Sequence, residues 1–148
     1  MRVTADKDRI PVPENPPMNP SPRPGPTFLM VDDSKVSRRL AIGLLAKRLP
    51  SAEFLEAGDG ETAVQVFQQT PAQVVVMDYN MPGIHGVEAA LRIRALDPQV
   101  TVVLLTANGQ AAVRARAEEA GIHMLCKPIN SQLADQIAAL APASPALA

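Results

Sequence analysis

The sequence has no tryptophan, one tyrosine, three phenylalanines and a single cysteine among 148 residues. One cysteine closes no internal disulfide, and the opening MRVTADKDRI mixes charges where a secretory leader needs an apolar stretch. A reducing, cytoplasmic location is therefore expected. Cationic excess is missing too: Lys and Arg total 14 against 15 Asp and Glu, for a formal net charge of −1. Nothing is left over to neutralise a phosphate backbone, so direct nucleic-acid binding is not expected. Long hydrophobic runs are also lacking. The longest clean ones, 74–77 (VVVM) and 102–105 (VVLL), fall far short of the roughly 20 residues a membrane span needs. No internal repeat is visible. At 47% hydrophobic and 20% charged, the chain has the composition of one globular domain with tails.

What it does have is proline. Eight of the 15 prolines lie between Pro11 and Pro26, and each removes a backbone donor, so residues 1–26 read as a disordered, partly polyproline-II tail. Residues 141–148 read as a second, shorter one. Between them, 27–140 is the expected folded unit. Apolar runs alternate there with helix-period segments: a strand at 28–31; a helix over 34–49 with Val36, Leu40 and Leu44 at i, i+4, i+8; and an exposed edge strand at 52–56. Asp59 suits a helix cap, and the next helix runs to about Gln69. Strands at 74–77 and 100–105 are apolar on both faces, as central parallel strands are. Helices at 86–96 and 110–120, the latter ended by Gly121, precede a short strand at 124–126. Ile129, Leu133, Ile137 and Leu140 stripe a last helix. Five strands alternating with five helices predict an α/β fold, a single doubly wound parallel sheet between helix layers.

Sites in such sheets lie at the carboxyl ends of the strands. Those positions hold Asp32 and Asp33 after the first strand, Asp78 after the third, Thr106 after the fourth and Lys127 after the fifth. Were strands one and three neighbours, three carboxylates would share a small volume and require a cation. All-oxygen ligands point to a hard ion, and Mg²⁺ fits better than zinc. Singly each residue has a plainer role: Asp32-Asp33-Ser34 as a helix cap, Asp78 as a turn former, Thr106 as a strand end, Lys127 as a loop lysine. Their joint placement argues for a metal-assisted phosphoryl site, to which the edge-strand end, Glu56-Ala57-Gly58, offers little.

The motifs VDDS at 31–34, MDYNMPGIHG at 77–86, LLTAN at 104–108 and CKPI at 126–129 resemble the receiver (CheY-like) domain of two-component response regulators, over about 27–140. CheY itself exemplifies the flavodoxin-like strand order 2-1-3-4-5, which the resemblance implies here. It further implies that Asp78 takes a phosphoryl group from a phosphohistidine on a histidine kinase or histidine phosphotransfer protein. Mg²⁺ would be held by Asp33, Asp78 and the main-chain carbonyl of Asn80, with Asp32 acting mainly through water, and Thr106 and Lys127 would hold the phosphoryl oxygens. The phosphorylated form would change its binding to a separate downstream protein through a surface at about 110–140, as a monomer or a phosphorylation-dependent dimer. A cis Lys127–Pro128 bond is also implied. One departure is Met124, three before the lysine, where the family often has an aromatic switch residue.

The expected protein is thus a signalling receiver that catalyses its own phosphorylation and dephosphorylation, not an enzyme acting on a separate substrate, with no output domain in this chain. A phosphorelay intermediate or phosphate sink fits the same residues. A phosphorylation-independent interaction scaffold is the alternative of another class, and a flavin-type phosphate binder is disfavoured because Asp32 and Asp33 would repel it. His85 and His123 read as loop histidines and Cys126 as a small buried hydrophobe. Arg38, Arg39, Lys47 and Arg48 read as a solvated helix face or a docking patch.

Overall fold

The computed structural model describes residues 25–81, 83, 86–107 and 111–142; most of both expected tails, and His85, lie outside the described residues. Strands and helices alternate as β1 (Thr27–Val31), α1 (Lys35–Arg48), β2 (Glu53–Ala57), α2 (Gly60–Gln69), β3 (Val74–Asp78), α3 (Gly86–Leu96), β4 (Thr101–Thr106), α4 (Ala111–Glu119), β5 (His123–Cys126) and α5 (Ser131–Leu140). All strand pairings are parallel, in the order β2-β1-β3-β4-β5. This is the α/β architecture that the alternation predicted, in the strand order that the resemblance implied.

Alternation along the central strands divides the core between the two faces of the sheet. Leu29, Val31, Val75, Met77, Val102 and Leu104 face α2 and α3, where Phe67 and Ile93 are buried against them. Phe28, Met30, Val74, Val76, Val103 and Leu105 face α1 and α5, meeting Ala41, Leu45, Leu133 and Ile137. Every residue of β1 and β3 is buried. Full burial of such side chains stabilises by about 1.5–3 kcal/mol each, which holds the strand ends, and whatever they carry, in fixed register.

Among the described residues, three helices begin on side-chain caps. Ser34 Oγ, Asp59 Oδ1 and Asn130 Oδ1 accept from the backbone N–H groups of Ser37, Thr62 and Leu133 at 3.2, 2.7 and 2.9 Å, each satisfying an otherwise orphaned donor. Gly121 ends α4 at φ +78°, a conformation that side chains disfavour. The bond from Lys127 to Pro128 is cis.

Several expectations are corrected. The 36–40–44 stripe is not the core face of α1: Val36 is 79% exposed and Leu40 50%, whereas Ala41 and Leu45 are buried. α1 carries apolar residues on more than one side, and the packing of Ala41 and Leu45 with α5 chooses between them. Cys126 is exposed, because β5 is a short edge strand paired only with β4. Its Sγ lies 3.6 Å from Arg114 Nη2. His123 is the first residue of β5, not of a loop. Three of the four basic residues named on α1 are not simply solvated either: Arg48 pairs with Asp135 of α5, and Arg38 and Arg39 both pair with Glu56 near the end of β2, while Lys47 is exposed.

Candidate phosphoryl and cation site

Backbone hydrogen bonds carry the sheet one step past the strands and so fix the residues that follow them. Asp32 N–H donates to Ala57 O (3.2 Å), Tyr79 N–H to Leu105 O (2.8 Å) and Lys127 N–H to Thr106 O (2.9 Å). Four adjacent strands thereby present Asp32 and Asp33, Asp78, Thr106 and Lys127 along one edge.

β1 and β3 are direct neighbours, and one carboxylate oxygen from each of Asp32, Asp33 and Asp78 lies within 4.8 Å of the others. Asp32 and Asp78 are buried and Asp33 is exposed. Asp32 Oδ1 accepts from the Ser34 N–H at 2.8 Å. Asp78 is held at both oxygens: Oδ1 accepts from the Asn80 N–H at 3.2 Å, and Oδ2 lies 3.4 Å from Lys127 Nζ. Thr106 is buried at the end of β4, with exposed Ala107 beyond it.

Burial is the chief cause that raises the Asp32 carboxyl above its ordinary pKa, and the charges of Asp78 and Asp33 push the same way; the Ser34 N–H and Lys127 oppose them. Such a group gains from any cation placed among the three carboxylates. The donor set is all oxygen, as hard ions prefer, and Mg²⁺ in particular makes do with few carboxylates while keeping several waters. The residues fit that ion. Among the described residues no other group of acids, histidines or cysteines converges in this way.

Gly86, the first residue of α3, is needed where it stands. A Cβ there would lie 2.8 Å from the Asp78 carbonyl oxygen and 3.1 Å from Tyr79 Cα, so a side chain would push α3 off the strand end that bears Asp78. The sequence offered no signal for this contact beyond a glycine at a helix start. It also gave no sign that Glu56 reaches the site's neighbourhood, which depends on β2 pairing with β1 so that Glu56 stands beside Met30. Met124 is buried in the core beside Ala117 and Ile122, and its carbonyl accepts from Arg114 Nη1 at 2.9 Å.

A family model described as the response regulator receiver domain matches residues 28–138. The chain is 38% identical over 81 residues to "Autoinducer 1 sensor kinase/phosphatase LuxN" of Vibrio campbellii, covering 55% of this chain but only 9% of that protein. It is 33% identical over 105 residues to "Probable chemotaxis protein CheY" of Rhizobium etli, covering 69% of this chain and 81% of that one. Among solved structures, a co-crystal of the Saccharomyces cerevisiae histidine phosphotransfer signalling protein Ypd1 with the receiver domain of its downstream response regulator Ssk1 matches at a TM-score of 0.67 and 25% identity, covering 77% of this chain and 87% of that chain.

Proposed function

The chain belongs to the response regulator receiver domain family, and from that premise we propose that it is a phosphoacceptor switch of a two-component system whose acceptor is Asp78. The observation that carries this reading is the seat of Asp78. Its carboxylate is buried at the end of a central strand, steadied by Asn80, and flanked by an ammonium and two further carboxylates. In the reaction, an Asp78 oxygen attacks the phosphorus of a phosphohistidine. The new P–O bond forms as the P–N bond breaks, the imidazole nitrogen keeps the bonding pair, and an acyl phosphate results. Lys127 and the Thr106 hydroxyl hold the phosphoryl oxygens, and small Ala107 leaves the approach to Asp78 clear. Mg²⁺ would be held by Asp33, Asp78 and the carbonyl of Asn80, with Asp32 acting mainly through water; when bound it supplies positive charge against the transferring oxygens.

The donor is a protein, and the exposed pair Val36 and Leu40 on α1 supports this. They lie in the first half of α1, the helix that follows Asp32 and Asp33, and offer an exposed apolar patch on one face of it. A histidine phosphotransfer protein, such as the one bound to the Ssk1 receiver, or a histidine kinase fits that patch. Phosphorylation then draws Thr106 and Lys127 inward and biases α4, β5 and α5 for a separate partner protein. Switch, relay and sink share this chemistry and differ in the lifetime of the acyl phosphate.

Intact mass after incubation with Mg²⁺ and a small-molecule acyl phosphate tests the reading. Wild type gains one phosphoryl group, whereas Asp78→Asn and a chelated control gain none. Equal labelling of Asp78→Asn, or an unlabelled wild type that still binds Mg²⁺, counts against it.

A further inference from the structure

Among the described residues, Arg38 is the one cation on α1 that reaches the main chain of the acidic site. Its Nη1 donates to the Asp32 carbonyl at 2.6 Å while Nε donates to Glu56 Oε1 at 2.9 Å, and its side chain is only 15% exposed. The Asp32 peptide groups are thus held on both sides from β2, the N–H by the Ala57 carbonyl and the C=O through Arg38 and Glu56. Glu56 also takes Arg39, and the Arg38 hydrogen bond is the main cause that keeps its carboxyl below the ordinary range. Two guanidinium groups on one carboxylate leave net positive charge, which by itself disfavours a nearby cation, so what Arg38 contributes is the fixed position of the Asp32 main chain.

We infer that Arg38 is a positioning residue for the cation site, locked in place by Glu56, so that the edge strand β2 helps set Mg²⁺ affinity without supplying a ligand. Supporting groups of this kind are worth about 10–100-fold in metal affinity. Lysine cannot replace this arginine, because a single ammonium on a flexible stem lacks the fixed fork that reaches both the Asp32 carbonyl and Glu56. The inference rests on the cation reading proposed above, and its test keeps the two apart.

The experiment is a calorimetric Mg²⁺ titration of wild type, Arg38→Ala, Arg38→Lys, Glu56→Gln and Arg48→Ala, with the rise in melting temperature on adding Mg²⁺ as a second readout. Arg48 makes a comparable clasp, to Asp135 and the Ser131 carbonyl of α5, and controls for general loosening. The expected result is affinity weakened about tenfold or more in Arg38→Ala and Arg38→Lys, and less in Glu56→Gln. Arg48→Ala stays within about twofold of wild type, and the Mg²⁺-induced rise shrinks in the same order as affinity falls. Wild-type affinity in Arg38→Ala overturns the inference, and so does an equal loss in Arg48→Ala. Full affinity in Arg38→Lys overturns the role of the fork. A wild type that binds no Mg²⁺ overturns the cation reading itself, a different outcome from any of these.

Discussion

Replacing Asp33 by Asn should make the metal-free protein more stable while depriving it of the cation. Asp33 is the exposed member of the three carboxylates, whose oxygens lie within 4.8 Å of one another. At that distance each pair of like charges repels by about 0.9 kcal/mol in a water-like dielectric and about 3.5 kcal/mol at an effective dielectric of 20. Asp33 faces solvent, so the lower figure applies. Removing its charge abolishes two such pairs, about 1.8 kcal/mol, and allowing for lost attraction to Lys127 leaves about 1 kcal/mol. In a domain of this size that raises the melting temperature by roughly 3–6 °C. The assay is thermal unfolding in EDTA at low ionic strength, repeated with Mg²⁺ and in concentrated salt. Mg²⁺ should raise wild type and leave Asp33→Asn nearly unmoved, and the EDTA gain should shrink in about 1 M salt, where the screening length falls to about 3 Å. A variant no more stable than wild type in EDTA would refute the mutual repulsion on which the cation site is argued.

Further outcomes follow from the same geometry. Gly86→Ala places a methyl against the Asp78 carbonyl and Tyr79, costing about 1–3 kcal/mol and slowing phosphorylation; unchanged urea unfolding and unchanged labelling would contradict it. Substituting Val36 and Leu40 with serine, both being exposed, should alter stability by less than about 0.5 kcal/mol each. Transfer from a phosphohistidine protein should slow while labelling by a small phosphodonor is spared, a split read by comparing the two rates. In metal-free protein the raised Asp32 pKa means that the folded state binds more protons than the unfolded chain. Its penalty therefore sets in above pH 3.8 and is complete once pH passes the raised folded value. The stability difference between Asp32→Asn and wild type should widen over that window in EDTA, and a pH-independent difference would contradict it. Glu56 and Asp59 act with the opposite sign: their carboxyls are lowered, so their contribution is lost as pH falls below their ordinary values of 4.5 and 3.8.

Much of this was legible in the sequence, for identifiable reasons. β3 and β4 are central strands covered on both sides, so their apolar runs need no partner to be recognised. The acids, hydroxyl and lysine stand immediately after or at the ends of such runs, where chain order alone places them on one edge. Less was legible where packing chooses among equivalents. On α1 the spacing 36–40–44 and the pair Ala41 and Leu45 both satisfy helical periodicity, and contact with α5 decided for the second. Cys126 sits in an apolar run but on an edge strand too short to be covered. The Arg38 and Glu56 pair joins residues 18 positions apart and exists only through the register of β2 on β1, which no local pattern specifies.

The central claim, that Asp78 carries the phosphoryl group, is tested most directly by chemical trapping. Borohydride reduces an acyl phosphate to the alcohol, so a phosphorylated aspartate becomes homoserine, and peptide mapping identifies its position. After reaction with a phosphodonor and Mg²⁺, the account predicts homoserine at Asp78 alone, with none in the chelated control. Homoserine at Asp32 or Asp33, or phosphorylation of the chain with no reducible aspartate, would contradict it.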